Sequence, residues 1–124
     1  MVLVDTSIWV QHFRTKKHPL AELLLRRQVI CHPYVVGELA CGNLKNRDAI
    51  LSLLHRLPAA ASASHEEVLH FIDIHRLMGI GLGYIDVHLL ASATLSGVPL
   101  WTGDKKLHRA AARLSIAYME NGSV

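Results

Sequence analysis

Ten of the 124 residues are acidic, and four of them stand where a carboxylate has work to do besides keeping a surface soluble. Asp5 closes the apolar run in "VLVDTSIWV". Glu38 lies inside "VVGELAC". Asp86 opens "GYIDVHLL" and its Ala-rich continuation, and Asp104 follows "LWT" in "WTGDKK". The other six, Glu22, Asp48, Glu66, Glu67, Asp73 and Glu120, fall on polar helix faces, at caps or in the tail. For Asp5 the plain alternative is that it, or Thr6, merely caps the helix, a common duty. Glu38 has no such explanation. Its flanks are apolar, and an ionised carboxylate among apolar neighbours is costly without a compensating partner. Burial is therefore expected for Glu38, with a buried ion pair or an outward helix face as the bland readings.

Four carboxylates directed at one small volume repel one another. Hard divalent cations relieve that repulsion, and Mg²⁺ or Mn²⁺ prefers oxygen ligands. Asp5, Asp86, Asp104 and Glu38 are thus the candidate metal ligands and catalytic residues. A metal so held activates water, grips a phosphate oxygen and stabilises a leaving oxygen, which is the chemistry of phosphodiester cleavage. Thr6, Ser7 and Thr102 are placed to orient water or a carboxylate through their hydroxyls. Arg14, Lys105 and Lys106 are candidate contacts to a nucleic-acid backbone.

The elements that must deliver these groups follow from the spacing of apolar residues. Val2–Val4 form a short run without alternation, suited to a strand covered on both faces. Thr6 and Ser7 start a helix through "SIWVQHF". "LAELLLRR" is an amphipathic helix and "VICH" a second strand. Pro33 suits the first turn of a helix that ends near Gly42 and Asn43. Asn46 is a candidate cap for "NRDAILSLLHRL". Ser64 and Glu67 form a capping box ahead of "HEEVLHFIDIHRLM", with Val68, Phe71, Ile72 and Met78 on one face. "GIGLG" is a connection, since its glycines do not fit a phosphate loop. "VPLWT" is a strand, "DKKLHRAAARL" a helix and "SIAYM" a further strand. Within "AAASAS", residues 59–63 read equally as strand or loop. Strands alternating with helices imply a parallel sheet with helices on both faces, an α/β/α architecture. In such a sheet the carboxyl ends of the strands share one edge, where ligands bind.

Composition bounds the answer. A 124-residue chain with 51% hydrophobic and 19% charged residues is expected to fold as a single domain over residues 1–124, with no disordered tail. No apolar run approaches a membrane span. Nothing at the N-terminus resembles a signal peptide, so a cytoplasmic location is expected. Cys31 and Cys41 have no zinc or CxxC spacing and are expected to be buried, reduced small hydrophobes. A net charge of +3 is mildly basic, with clusters at Arg14/Lys16/Lys17, Lys45/Arg47 and Lys105/Lys106/Arg109/Arg113.

Taken together, "LVDTSIW", "VVGELACGNL", "GYIDVHLLASA" and "LWTGDKKL" resemble the PIN-domain ribonucleases, most closely the VapC toxins of bacterial type II toxin–antitoxin pairs. The resemblance spans nearly the whole chain. It implies a five-stranded parallel sheet in the order 3-2-1-4-5 and a Mg²⁺- or Mn²⁺-dependent endoribonuclease. It also implies a homodimer silenced by a small cognate antitoxin. One position departs from the pattern: Gly103 stands between Thr102 and Asp104, where a longer polar or basic residue is expected.

Three rivals are weaker. A metal-free ribonuclease would use histidines, but His65, His70 and His75 are five apart and do not share a helix face; His12 and His108 are the ones that could approach the acids. A phospho-acceptor receiver domain lacks an acceptor aspartate between residues 48 and 73. A non-enzymatic interaction module leaves Glu38 unexplained. A PIN-fold nuclease in RNA processing, without a toxin role, is the nearest alternative.

Overall fold

The computed structural model describes residues 1–120. Its strands are short. β1 (Val2–Val4) lies between β2 (Val29–Ile30) and β3 (Leu100–Trp101), all parallel. Val2 and Leu3 pair with Val29 and Ile30 on one side, and Leu3 and Val4 pair with Leu100 and Trp101 on the other. All seven of these residues are buried, as the unbroken apolar runs require.

Where five strands were expected, the sheet has three. Two flanking segments come alongside but pair only through single bridges, Cys31 with Ala59 and Leu100 with Ala117. Cys31 N–H donates to Pro58 and Ala60 N–H donates to Cys31, both at 2.9 Å. Likewise Leu100 N–H donates to Ile116 and Tyr118 N–H donates to Leu100. Pro58, which has no N–H of its own, limits the ladder on one side. Within the chain, then, "AAASAS" contributes one bridge and "SIAYM" another.

Among the described residues seven helices accompany these strands: α1 (Thr6–Arg14), α2 (Pro19–Leu25), α3 (Pro33–Cys41), α4 (Arg47–Arg56), α5 (His65–His75), α6 (Tyr84–Ser96) and α7 (Lys105–Arg113). Local chemistry sets many of their ends. Pro33 occupies the first turn of α3 behind the His32 cap, and Gly42 closes that helix. The Ser64–Glu67 capping box opens α5 with both reciprocal bonds made. That helix stops at Arg76, in the left-handed conformation, so Met78 lies beyond it and is exposed. Asn46 also departs from expectation. It precedes α4 at φ +53° and its side chain caps nothing.

Helix α6 is the central one. Val87 through Ala93 are all buried, so the helix meets protein around most of its circumference rather than along a stripe. The core gathers Trp9, Leu20, Val35, Leu54, Leu90 and Leu107 around β1. Of the two cysteines, both free, Cys31 is buried but Cys41 is exposed at the end of α3. Among the described residues no helix is long and apolar enough to cross a membrane.

Candidate active site

The parallel register puts the ends of β1 and β3 side by side, and with them Asp5 and Thr102. Asp5 N–H donates to Trp101 O at 2.9 Å, carrying the ladder one residue past β1. Asp5 is buried, and its carboxylate accepts three hydrogen bonds. Oδ1 takes the Thr6 N–H at 2.7 Å; Oδ2 takes the hydroxyls of Ser7 at 2.9 Å and Thr102 at 2.7 Å. Such donors compensate a buried carboxylate. The capping alternative is thus half right, because Oδ1 caps α1 while Oδ2 collects hydroxyls from two elements.

Each hydroxyl is itself oriented. Gly103 N–H donates to Ser7 Oγ at 2.9 Å, and Asp104 N–H donates to Thr102 Oγ1 at 3.0 Å. A hydroxyl has a single proton, so accepting these amides leaves both protons for Asp5. Asp104 Oδ1 in turn caps α7 through the Leu107 N–H at 3.0 Å. Thr6, the residue after Asp5, turns the other way and donates to Glu38 Oε1 at 2.7 Å, joining α1 to α3.

Glu38 is exposed, which corrects the expectation that it is buried. Val35 and Leu39 take the inward face of α3, leaving Gly37 and Glu38 on the outward one. Its place near the acids comes from the Thr6 bond, not from burial. Asp86 is half-buried at the start of α6 and accepts the Gly83 N–H at 3.0 Å. Burial first, and then the negative charges of Asp5, Asp104 and Glu38, raise its carboxyl above the ordinary value of 3.8, against a lowering by the Gly83 bond. Asp86 therefore feels all three other acids.

Among the described residues none of the four acids is in an ion pair; the single ion pair there joins Arg26 to Glu22. Nor do three His, Cys, Asp or Glu side chains among the described residues gather tightly enough to grip one ion directly. An anionic cup with spare carboxylate oxygens suits Mg²⁺, which keeps several waters and commonly takes only one or two carboxylates.

Two residues escaped the reading of the sequence. Gln11 lies one turn after Ser7 on α1, an i,i+4 spacing that brings both to Gly103. A Cβ at Gly103 would stand 3.0 Å from Gln11 Nε2 and 3.5 Å from Ser7 Oγ. Gly83 matters through its amide, and the clue was its place three residues before Asp86, the spacing of a carboxylate that reaches back to a helix start.

The basic candidates separate. Arg14 lines a groove of about 770 Å³ with Thr6, Phe13, Glu38, Leu44 and Lys45. Lys105 lies with His108 and Arg109 along a cleft of about 360 Å³ that includes Thr102, Gly103 and Asp104. Lys106 instead lies over Gly81, where a Cβ would stand 2.8 Å from its Cδ and 2.9 Å from its Nζ. With φ at +87° that position favours glycine, while the flexible Lys106 chain above it can swing aside. His12 is half-buried between Trp9, Phe13 and His18, and its imidazole is lowered by burial and then by His18.

The sequence profile of the PIN domain matches residues 2–113. Ribonuclease VapC32 of Mycobacterium tuberculosis, from strains CDC 1551 and H37Rv alike, is 44% identical over 124 residues, covering 99% of this chain and 100% of the relative. The chain belongs to the PIN-domain family, among the VapC ribonucleases. Two solved structures share the fold of this PIN domain. PAE2754 from Pyrobaculum aerophilum aligns with a TM-score of 0.59 at 18% identity, over 92% of this chain and 88% of that one. FitAB bound to an IR36 DNA fragment aligns at 0.63 and 15%, over 99% and 100%.

Proposed function

We propose that this PIN domain, a single α/β/α domain over residues 1–124, is a divalent-metal-dependent endoribonuclease. In the cell it is the toxin of a type II pair, a cytoplasmic homodimer held silent by a cognate antitoxin. Asp5, Glu38, Asp86 and Asp104 are its catalytic acids and metal ligands, supported by Thr6, Ser7 and Thr102. The observation that carries the reading is the hydrogen-bonded gathering at the strand ends: Asp5 held by Ser7 and Thr102, Asp104 tied back to Thr102, and Glu38 drawn to α1 by Thr6, none of these acids ion-paired among the described residues. The VapC32 relative supports RNA as substrate and an antitoxin as partner.

When bound, Mg²⁺ or Mn²⁺ supplies an activated water and a counter-charge for the phosphate. The chain's own residues do the positioning. Ser7 and Thr102 hold the Asp5 carboxylate in one orientation by donating to the same oxygen. Thr6 fixes Glu38 across the cup, and the Gly83 and Leu107 amides fix Asp86 and Asp104. Arg14 on one side and Lys105 on the other are placed to meet RNA phosphates flanking the acids; Lys106 is the third basic candidate.

Incubation of the purified protein with RNA and Mn²⁺ should give fragments with 5′-phosphate and 3′-hydroxyl ends, and EDTA should stop the reaction. Cleavage that persists in EDTA and leaves 2′,3′-cyclic phosphates would instead assign the chemistry to histidines such as His108.

A further inference from the structure

Gly103 stands exposed between Thr102 and Asp104, where a Cβ would come within 3.0 Å of Gln11 Nε2 and 3.5 Å of Ser7 Oγ. Beside it, away from Asp104, is a cavity of about 320 Å³ lined by Gln11, Trp101, Gly103, His108 and Tyr118, among others. The Lys105–Arg109 cleft shares Thr102, Gly103 and His108 with this cavity, so the two meet at Gly103. Each is at the small end of the range for small-molecule sites, about 300 Å³ and upward.

The two halves differ in chemistry. One end carries the exposed cations Lys105 and Arg109. The other is lined by Tyr118, which packs on the buried Trp101 at 4.9 Å with a tilt of 43°, and by Ile8, Met119 and Glu120. At that end stands Gln11, exposed, whose amide offers a donor and an acceptor together. A cationic end and an aromatic end with one hydrogen-bonding amide match a phosphate joined to a base. The Asp104 carboxylate borders the junction.

We propose that a single-nucleotide subsite lies at Gly103 beside the carboxylates, with Lys105 and Arg109 taking a phosphate and Gln11 reading the edge of a base lodged against Tyr118 and His108. The subsite rests on the ribonuclease reading for its biological meaning and makes cleavage depend on the base next to the scissile bond. Recognition of RNA bases characteristically uses unstacked bases on aromatic side chains and their hydrogen-bonding edges. A side chain at 103 would close the junction and push Gln11 aside, yet leave the Gly103 N–H to Ser7 bond intact, because that bond is made by backbone.

The test follows amide resonances of the intact protein in EDTA during titration with inorganic phosphate and with each of the four 5′-ribonucleoside monophosphates. Phosphate should shift Lys105 and Arg109 alone, whereas the nucleotides should also shift Gln11, Gly103 and His108. One base should bind at least about fivefold more tightly than the weakest, the net value of one hydrogen bond to the Gln11 amide. Gly103→Leu and the surface change Gln11→Ala should each erase that preference while keeping the phosphate response. Identical shifts from phosphate and all nucleotides, or an unchanged base preference in both variants, would overturn the subsite. Because binding is read without metal or hydrolysis, failure of the ribonuclease reading would show separately, as wild-type protein that titrates with nucleotides but cuts no RNA in Mn²⁺.

Discussion

Thr102 Oγ1 donates to Asp5 Oδ2 at 2.7 Å across 97 residues of sequence, fastening the end of β3 to the end of β1. The bond is buried, and its loss would leave a buried carboxylate with two donors rather than three. Thr102→Val keeps the shape and removes the hydroxyl. Chemical denaturation should show a loss of about 1–3 kcal/mol, the cost of an unmade bond to a buried polar group. RNA cleavage should fall as well, since the Asp104 N–H loses its acceptor in the same change.

Neutralising an acid should separate activity from folding. Glu38→Gln and Asp104→Asn each keep an oxygen for the structural hydrogen bond, and Asn caps a helix about as well as Asp; Asp5→Asn keeps the Thr6 cap but turns an NH2 toward the Ser7 and Thr102 hydroxyls and should also lose some stability. Cleavage should drop on the order of 100-fold or more, the scale for losing one charge-stabilising group at a reacting centre. The circular dichroism spectrum should stay that of wild type. An Asp5→Asn protein that cuts RNA at the wild-type rate would remove the basis of the assignment.

The Asp86 carboxyl is raised by burial and by its three acidic neighbours, so the folded protein holds that proton more tightly than the unfolded chain. Its contribution to stability is present below the ordinary value of 3.8 and is lost as pH rises through the raised one. Without metal, Asp86→Asn should melt higher than wild type at neutral pH. Mn²⁺ should reverse the ranking, adding about 2.7 kcal/mol to wild type at a hundredfold excess over its Kd. Thermal melts in EDTA and in Mn²⁺ measure both effects.

His32 works in the opposite sense. Burial, and then the neighbouring His88, lower its imidazole to about 4. The unfolded chain takes up the proton near the ordinary 6.5, so stability present above that pH is lost as pH falls from 6.5 through 4. The slope from this one group is at most about 1.4 kcal/mol per pH unit. His32 Nδ1 also caps α3 by accepting the Tyr34 N–H at 3.0 Å. His32→Asn can keep that cap and should flatten the acid limb of a stability–pH profile; an unchanged limb would place the sensitivity elsewhere.

Features decided by neighbours in sequence were legible before any coordinates. The run Val2–Val4, the Pro33 start of α3 and the Ser64–Glu67 box each depend on a few adjacent residues. Asp5, placed at the strand end, was found for the right reason. Glu38 was singled out for burial that it does not have, because rotation about α3 sends Val35 and Leu39 inward and leaves it facing out. What draws it to Asp5 is a hydroxyl on another helix, and sequence spacing holds no record of that contact. The same limit explains Cys41, apolar in its setting yet exposed, and the outer strands, whose residues were in place but pair only at Ala59 and Ala117.

Each of the four acids lends an oxygen to the scaffold: Asp5 to the Thr6 amide, Glu38 to the Thr6 hydroxyl, Asp86 to Gly83 and Asp104 to Leu107. A carboxylate has about four lone-pair positions, so every one of them keeps at least one vacant. Their aim is therefore set by main-chain amides and hydroxyls rather than by an ion. Chelation should empty the cup without melting it, and reloading should be as quick as diffusion and dehydration of the cation permit.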